Sequence, residues 1–89
     1  MVHRYLEVTY RNGKPLAAYL YLPRREGDKS ARVEPYGPDY LVDWTEDARP
    51  IGIEMISPNH VTLEGLNDVL AQLHLERLAP EEASPLVAA

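Results

Sequence analysis

Asp43 and Glu54 come nearest to a chemical site by type and spacing. They flank the polar loop Thr45-Glu46-Asp47-Ala48-Arg49-Pro50, in two runs that alternate apolar and polar residues at period two, the signature of a β-hairpin. Tyr40, Val42 and Trp44 share one face, as do Ile51, Ile53 and Met55 on the return strand, and the two acids fall opposite. Pairing Trp44 with Ile51 sets Asp43 against Gly52 and diagonal to Glu54, with room above the glycine. Two carboxylates around a gap can bind a cation or share a proton. The same pattern fits a solvated strand face, with the acids paired to Arg4, Arg49 or Lys14 and Gly52 admitting Tyr19 or Tyr21. A hard cation wants about 6–8 oxygen ligands. The expectation is therefore no tight metal site and no cofactor.

Other chemistry finds less support. His3, His60 and His74 are scattered, without the H-x-H or H-x-x-x-H spacing of converging ligands. There is no cysteine, and Ser57 beside His60 lacks a nucleophile-elbow motif. Gly13, Gly27, Gly37, Gly52 and Gly65 are too dispersed for a phosphate loop. These observations point away from an enzyme.

The elements that position the candidates follow from periodicity. A first hairpin spans Arg4–Tyr10 and Leu16–Leu22 around Arg11-Asn12-Gly13-Lys14-Pro15. A two-residue Asn-Gly turn would put Leu6 and Val8 on the face of Tyr19 and Tyr21. The apolar pattern demands Leu6, Val8 and Tyr10 beside Leu16, Ala18, Leu20 and Leu22, and burial decides register. The reading is a three- or five-residue loop with Gly13 at positive φ, leaving Tyr5, Glu7, Thr9, Tyr19 and Tyr21 on the outer face. Ala31–Glu34 suits a short strand and Pro35-Tyr36-Gly37-Pro38 a turn. Thr62 is a good N-cap, and Val61 and Leu66 are spaced as a hydrophobic staple. Leu63, Leu66, Val69, Leu70 and Leu73 form one stripe of a helix that should end at Ala79-Pro80. Leu75 and Leu78 lie off that stripe, to be covered by Leu86 and Val87 or by a second subunit. The fold expected is α+β: an antiparallel meander of about four strands with one C-terminal helix packed on it. Residues 1–78 form a single domain and 79–89 a loose tail.

Eighty-nine residues bury little core, and without cysteine no disulfide or thiolate zinc can staple it. Self-association is the remaining staple, and a homodimer is expected. A net charge of -5 argues against nucleic-acid binding. The N-terminus lacks a signal-peptide run, and no stretch suits a membrane span. Together with the missing cysteine, this places the chain in the cytoplasm. Six tyrosines and one tryptophan stand beside no phenylalanine, which suits half-buried surfaces and interfaces.

The segment D-W-T-E-D-A-R-P-I-G-I-E-M-I, Asp43 to Ile56, resembles the hallmark of a prokaryotic domain-of-unknown-function family, numbered twenty-two eighty-three. That pattern runs D-Y-D-x-D-G-x-x-V-G-I-E-I-L. Asp43, Asp47, Gly52, Ile53 and Glu54 match outright, and Trp44, Ile51 and Met55 match in character. Ala17-Ala18-Tyr19-Leu20-Tyr21-Leu22 is similar to the family's second motif, an acidic loop followed by A-L-Y-I-x-L. Here the acidic loop is Arg11-Asn12-Gly13-Lys14, the turn glycine is Ala48, and a usually polar position is Tyr21. The resemblance implies a small antiparallel sheet and no established activity. It also implies a protein-partner role, since some members are encoded beside toxin-like nucleases. Residues and resemblance lead to one expectation: a small non-enzymatic interaction module, acting as a homo-oligomer or as an antitoxin-like partner. Its surface would comprise Tyr5, Tyr19, Tyr21, Leu75 and Leu78. The alternative is a small-ligand or cation-binding domain using Asp43 and Glu54.

Overall fold

The computed structural model describes residues 4–87. Five strands, β1 (Tyr5–Arg11), β2 (Lys14–Tyr21), β3 (Arg32–Pro35), β4 (Tyr40–Trp44) and β5 (Pro50–Met55), form one antiparallel sheet. Their order is β1-β2-β5-β4-β3, which puts β5 at the centre. A 3-10 turn at Pro58–His60 leads to helix α1 (Leu63–Gln72), and a short helix α2 (Ser84–Val87) follows. This is the α+β class expected, but the sheet is not the expected meander. β2 pairs with β5 rather than with β3, because the 22–31 segment carries the chain across to the far edge. The strand count is five rather than about four, because the 32–35 segment pairs fully with β4.

The first hairpin reconciles two demands that conflict in the sequence. Asn12 and Gly13 sit at φ 54 and 74, so the turn has two residues and Arg11 pairs with Lys14. The longer loop expected from the apolar pattern does not form. A β-bulge corrects the register instead: Tyr10 pairs with Pro15 and Thr9 with Ala17, so Leu16 is the extra residue. Beyond the bulge Val8 faces Ala18 and Leu6 faces Leu20, which returns these four to the inner face. Tyr10 and Leu16, expected with them, lie at the bulge and stay about half exposed. The second hairpin does the same. Trp44 pairs with Pro50 rather than Ile51, yet Asp43 still meets Gly52.

The inner face buries Leu6, Ala18, Leu20, Val42, Ile53 and Met55 against Leu66, Val69 and Leu70 of α1. Each large side chain so buried stabilises by about 1.5–3 kcal/mol. Thr62 caps the helix, its hydroxyl accepting from the Gly65 N–H at 3.0 Å. The indole of Trp44 packs on the core edge with the Arg32 guanidinium 5.1 Å above it. Its Nε1 is buried and has no partner among the described residues.

Helix α1 ends at Gln72, seven residues before the expected stop at Ala79. The His74 N–H donates to the Ala71 carbonyl (3.0 Å) and the Leu75 N–H to the Leu70 carbonyl (2.9 Å), with His74 at φ 60. That is a Schellman turn, and it reverses the chain. Leu75 therefore packs half-buried on the core, and Leu78 is inside it at 4% exposure. The Asn67 amide fixes Leu78 through both its backbone N–H (2.7 Å) and carbonyl (3.3 Å). The outward-facing leucine patch expected at Leu75 and Leu78 is thus corrected.

The segment expected as a loose tail also differs. Residues 80–83 form a turn leading into α2, Ala83 is fully buried, and Glu82 pairs with Arg4 at 3.6 Å. The Arg4 guanidinium donates further to the carbonyls of Glu76 and Arg77. The side chains of Leu86 and Val87, expected as a cover, lie outside the described residues, as does His3. Among the described residues no helix is long and apolar enough to cross a membrane.

Candidate functional site

Side chains alternate along a strand, so every strand sends half of its residues away from α1. Tyr5, Glu7 and Thr9 of β1 and Tyr19 and Tyr21 of β2 occupy this outer face. Gly52 and Glu54 of β5, Leu41 and Asp43 of β4, and Val33 of β3 continue it across the sheet. Tyr5 and Val33 are about half exposed, at 48% and 52%. The structure therefore brings together Tyr5, Tyr19 and Tyr21, and sets Asp43 and Glu54 on the same face. It does not bring Leu75 and Leu78 to them.

The outer face is ordered by directed contacts. Tyr5 stacks on Tyr21 with centroids 4.6 Å apart, and Tyr19 meets Tyr21 edge-on at 4.7 Å. The Tyr21 hydroxyl donates to Glu7 at 3.4 Å, and the Arg24 guanidinium lies 5.5 Å over the Tyr21 ring. Tyr19 leans across β5, and its hydroxyl donates to Asp43 Oδ2 at 2.5 Å. Ser30 donates to Asp43 Oδ1 at 3.2 Å. The Tyr19 ring fills the space above Gly52, where a Cβ would stand 1.8 Å from the phenolic oxygen. Partial burial, then the hydrogen bond and charge of Asp43, push the Tyr19 hydroxyl well above its ordinary pKa.

Both oxygens of Asp43 are thus engaged. The gap read between Asp43 and Glu54 is occupied by Tyr19, as the solvated-face reading of Gly52 anticipated. Among the described residues no three His, Cys, Asp or Glu side chains gather as a metal shell requires. Two of the three basic residues weighed as partners go elsewhere: Arg4 to Glu82, and Arg49 to Asp28 and Asp47.

A second constellation lies at the end of the sheet. Arg49 grips Asp28 with a bidentate fork (2.9 and 2.6 Å) and Asp47 through Nε at 3.1 Å. Thr45 donates to Asp47 and accepts from the Arg49 N–H, at 2.6 and 3.0 Å, closing the β4–β5 loop. The Arg49 guanidinium and the Arg25 N–H pull the Asp28 carboxyl down to about 2. Beside this lock is a solvent-open cleft of about 540 Å³. Its floor is Leu22, Pro23, Pro50 and Leu75, and Arg24, Arg25 and Arg49 stand around it. Sequence reasoning missed it. The cleft depends on β2 pairing with β5 and on the early end of α1, and neither is written in a local pattern.

No family model matches this chain, and no curated protein or solved structure matches it.

Proposed function

We propose that this protein is a small interaction module that works without turnover, binding a second copy of itself or another protein through its outer sheet face. The observation that carries the reading is the tyrosine ladder Tyr5–Tyr21–Tyr19, held by ring contacts and by hydroxyl bonds to Glu7 and Asp43 while Tyr5 stays about half exposed. Aromatic side chains fixed before association lose little entropy on binding and are common interface anchors. The resemblance of the 43–56 hairpin to the family numbered twenty-two eighty-three supports a partner-binding role of antitoxin-like kind. The lack of cysteine supports a cytoplasmic setting. The engaged oxygens of Asp43 favour this reading over a cation or small-ligand site on the same face.

The test pairs sedimentation equilibrium at micromolar concentration with capture of partners from the native host. The wild type should run heavier than 10.1 kDa or retain a partner. Tyr5→Ala with Tyr21→Ala should weaken that association about tenfold or more, with a melting temperature within a few degrees of the parent. A monomer whose captured partners are unaffected by the double variant overturns the proposal. So does turnover on a hydrolase and nuclease panel that Asp43→Asn abolishes.

A further inference from the structure

We infer that the cleft at the end of the sheet binds a small amphipathic carboxylate, an apolar body carrying a single carboxylate. This site adjoins the outer face through Arg24, whose guanidinium lies over the Tyr21 ring, and goes beyond the interaction reading. Its floor of Leu22, Pro23, Pro50 and Leu75 leaves water poorly bonded and favours an apolar occupant. Its volume of about 540 Å³ falls in the range of small-molecule sites, about 300–1,000 Å³. The residues that line it include three of the chain's nine basic side chains and no acidic one. In a chain of net charge -5, that is a local reversal of sign. Asp28 and Asp47 offset part of this charge through Arg49, which leaves three guanidiniums against two carboxylates, a net positive balance, beside the cleft. Acids beyond about 8–10 Å are screened at physiological salt.

Two of the three are fixed in place. The Arg24 guanidinium donates to the Ile51 carbonyl at 2.7 Å, and Arg49 is clamped by the Asp28 fork. The clamp uses the Arg49 fork and neutralises much of its charge, so Arg49 serves as a fixed wall of the cleft and the ligand's carboxylate falls to Arg25. Arg25 is exposed, and its backbone N–H donates to Asp28 (2.8 Å). Its side chain supplies the charge that closes over the ligand. A carboxylate at the rim with its hydrocarbon on the leucine–proline floor satisfies both halves of the cleft. A purely apolar or a cationic ligand satisfies one half at most.

The test is calorimetric titration of the full chain with sodium decanoate below its micellar concentration at pH 7. Parallel titrations use decan-1-ol, decyltrimethylammonium and a short peptide alternating Glu and Leu. Saturable one-to-one binding of decanoate is expected, with neither decyl control competing, and amide shifts centred on Leu22, Arg25 and Leu75. Arg25→Gln should weaken binding about tenfold, and Arg25→Glu more, since a charge-assisted hydrogen bond is lost. Arg25→Lys should recover part of the loss, and none of the three should change the melting temperature. Equal binding of the alcohol or the cation overturns the proposal, as does decanoate affinity indifferent to Arg25→Glu. Tighter binding of the peptide at the same residues assigns the cleft to protein recognition and overturns the small-molecule reading. Arg24 joins the two sites, since its guanidinium lies over the Tyr21 ring. The variants that separate the proposals are therefore Arg25→Glu for the cleft and Tyr5→Ala for the outer face, and either proposal can then fail alone.

Discussion

On its inner face the sheet buries Leu20, Val42, Ile53 and Met55 under α1, while on its outer face Tyr19, Tyr21 and Tyr5 meet one another and two carboxylates. The inner contacts are non-directional and scale with area, so they constrain volume. The outer contacts depend on angle and protonation, so they constrain geometry. A small domain with little interior has used both faces of one sheet for stability, and only the second leaves rings accessible to another molecule.

The largest expected effect is on the inner face. Leu20→Ala should cost about 2–5 kcal/mol in chemical denaturation, enough to unfold much of a marginal domain. If it costs no more than an outer-face tyrosine variant, the contrast between faces collapses. Next is Gly52→Ala, whose methyl would overlap the Tyr19 ring; a loss of about 1–3 kcal/mol is expected. Adding Tyr19→Ala should make the Gly52 change nearly neutral, a coupling that a purely volumetric face would not give.

Tyr19→Phe keeps the ring and removes the bond to Asp43, for an expected loss of about 1 kcal/mol. The pH dependence has a definite sign. The Tyr19 pKa is raised in the fold, so its contribution is complete below about pH 10 and is lost as pH rises through the folded value. Ultraviolet titration should show one tyrosine ionising last, and Tyr19→Phe should remove that step. The smallest effect belongs to the lock at the sheet's end. Asp28 is depressed to about 2, so its contribution is complete above about pH 4 and fades as pH falls toward 2. Asp28→Asn should flatten the acid limb of the stability curve in that window.

Where a local pattern sufficed, the sequence was legible. Alternation put Val42, Ile53 and Met55 inside and Tyr19, Tyr21, Asp43 and Glu54 outside, and Thr62 announced the start of α1. The turn at Asn12-Gly13 and the burial of Leu6 each pointed to a correct feature. Both hold because a bulge at Leu16 absorbs the one-residue difference. The end of α1 was hidden because His74 stands in the left-handed position that glycine usually marks, while leucines continue beyond it. Ala48 likewise sits at φ 63, the left-handed conformation natural to the glycine of the resembled motif. The arginine cleft was illegible because its walls are some 25 residues apart in the chain. They are brought together by the β2–β5 pairing and the side-chain bonds of Arg24 and Arg49 that follow from it.

That pairing has a consequence for how the molecule is assembled in time. β1–β2 and β4–β5 are local hairpins that can close within microseconds. The β2–β5 seam, Leu20 against Ile53, must close a loop of more than 30 residues before it gains anything. Folding should therefore be limited by docking two preformed ribbons rather than by making either one. In stopped-flow chevrons, Ile53→Val should lower the folding rate, whereas Thr9→Ala on the outlying ribbon should act mainly on unfolding. The reverse pattern would mean that the first hairpin, not the seam, is the nucleus.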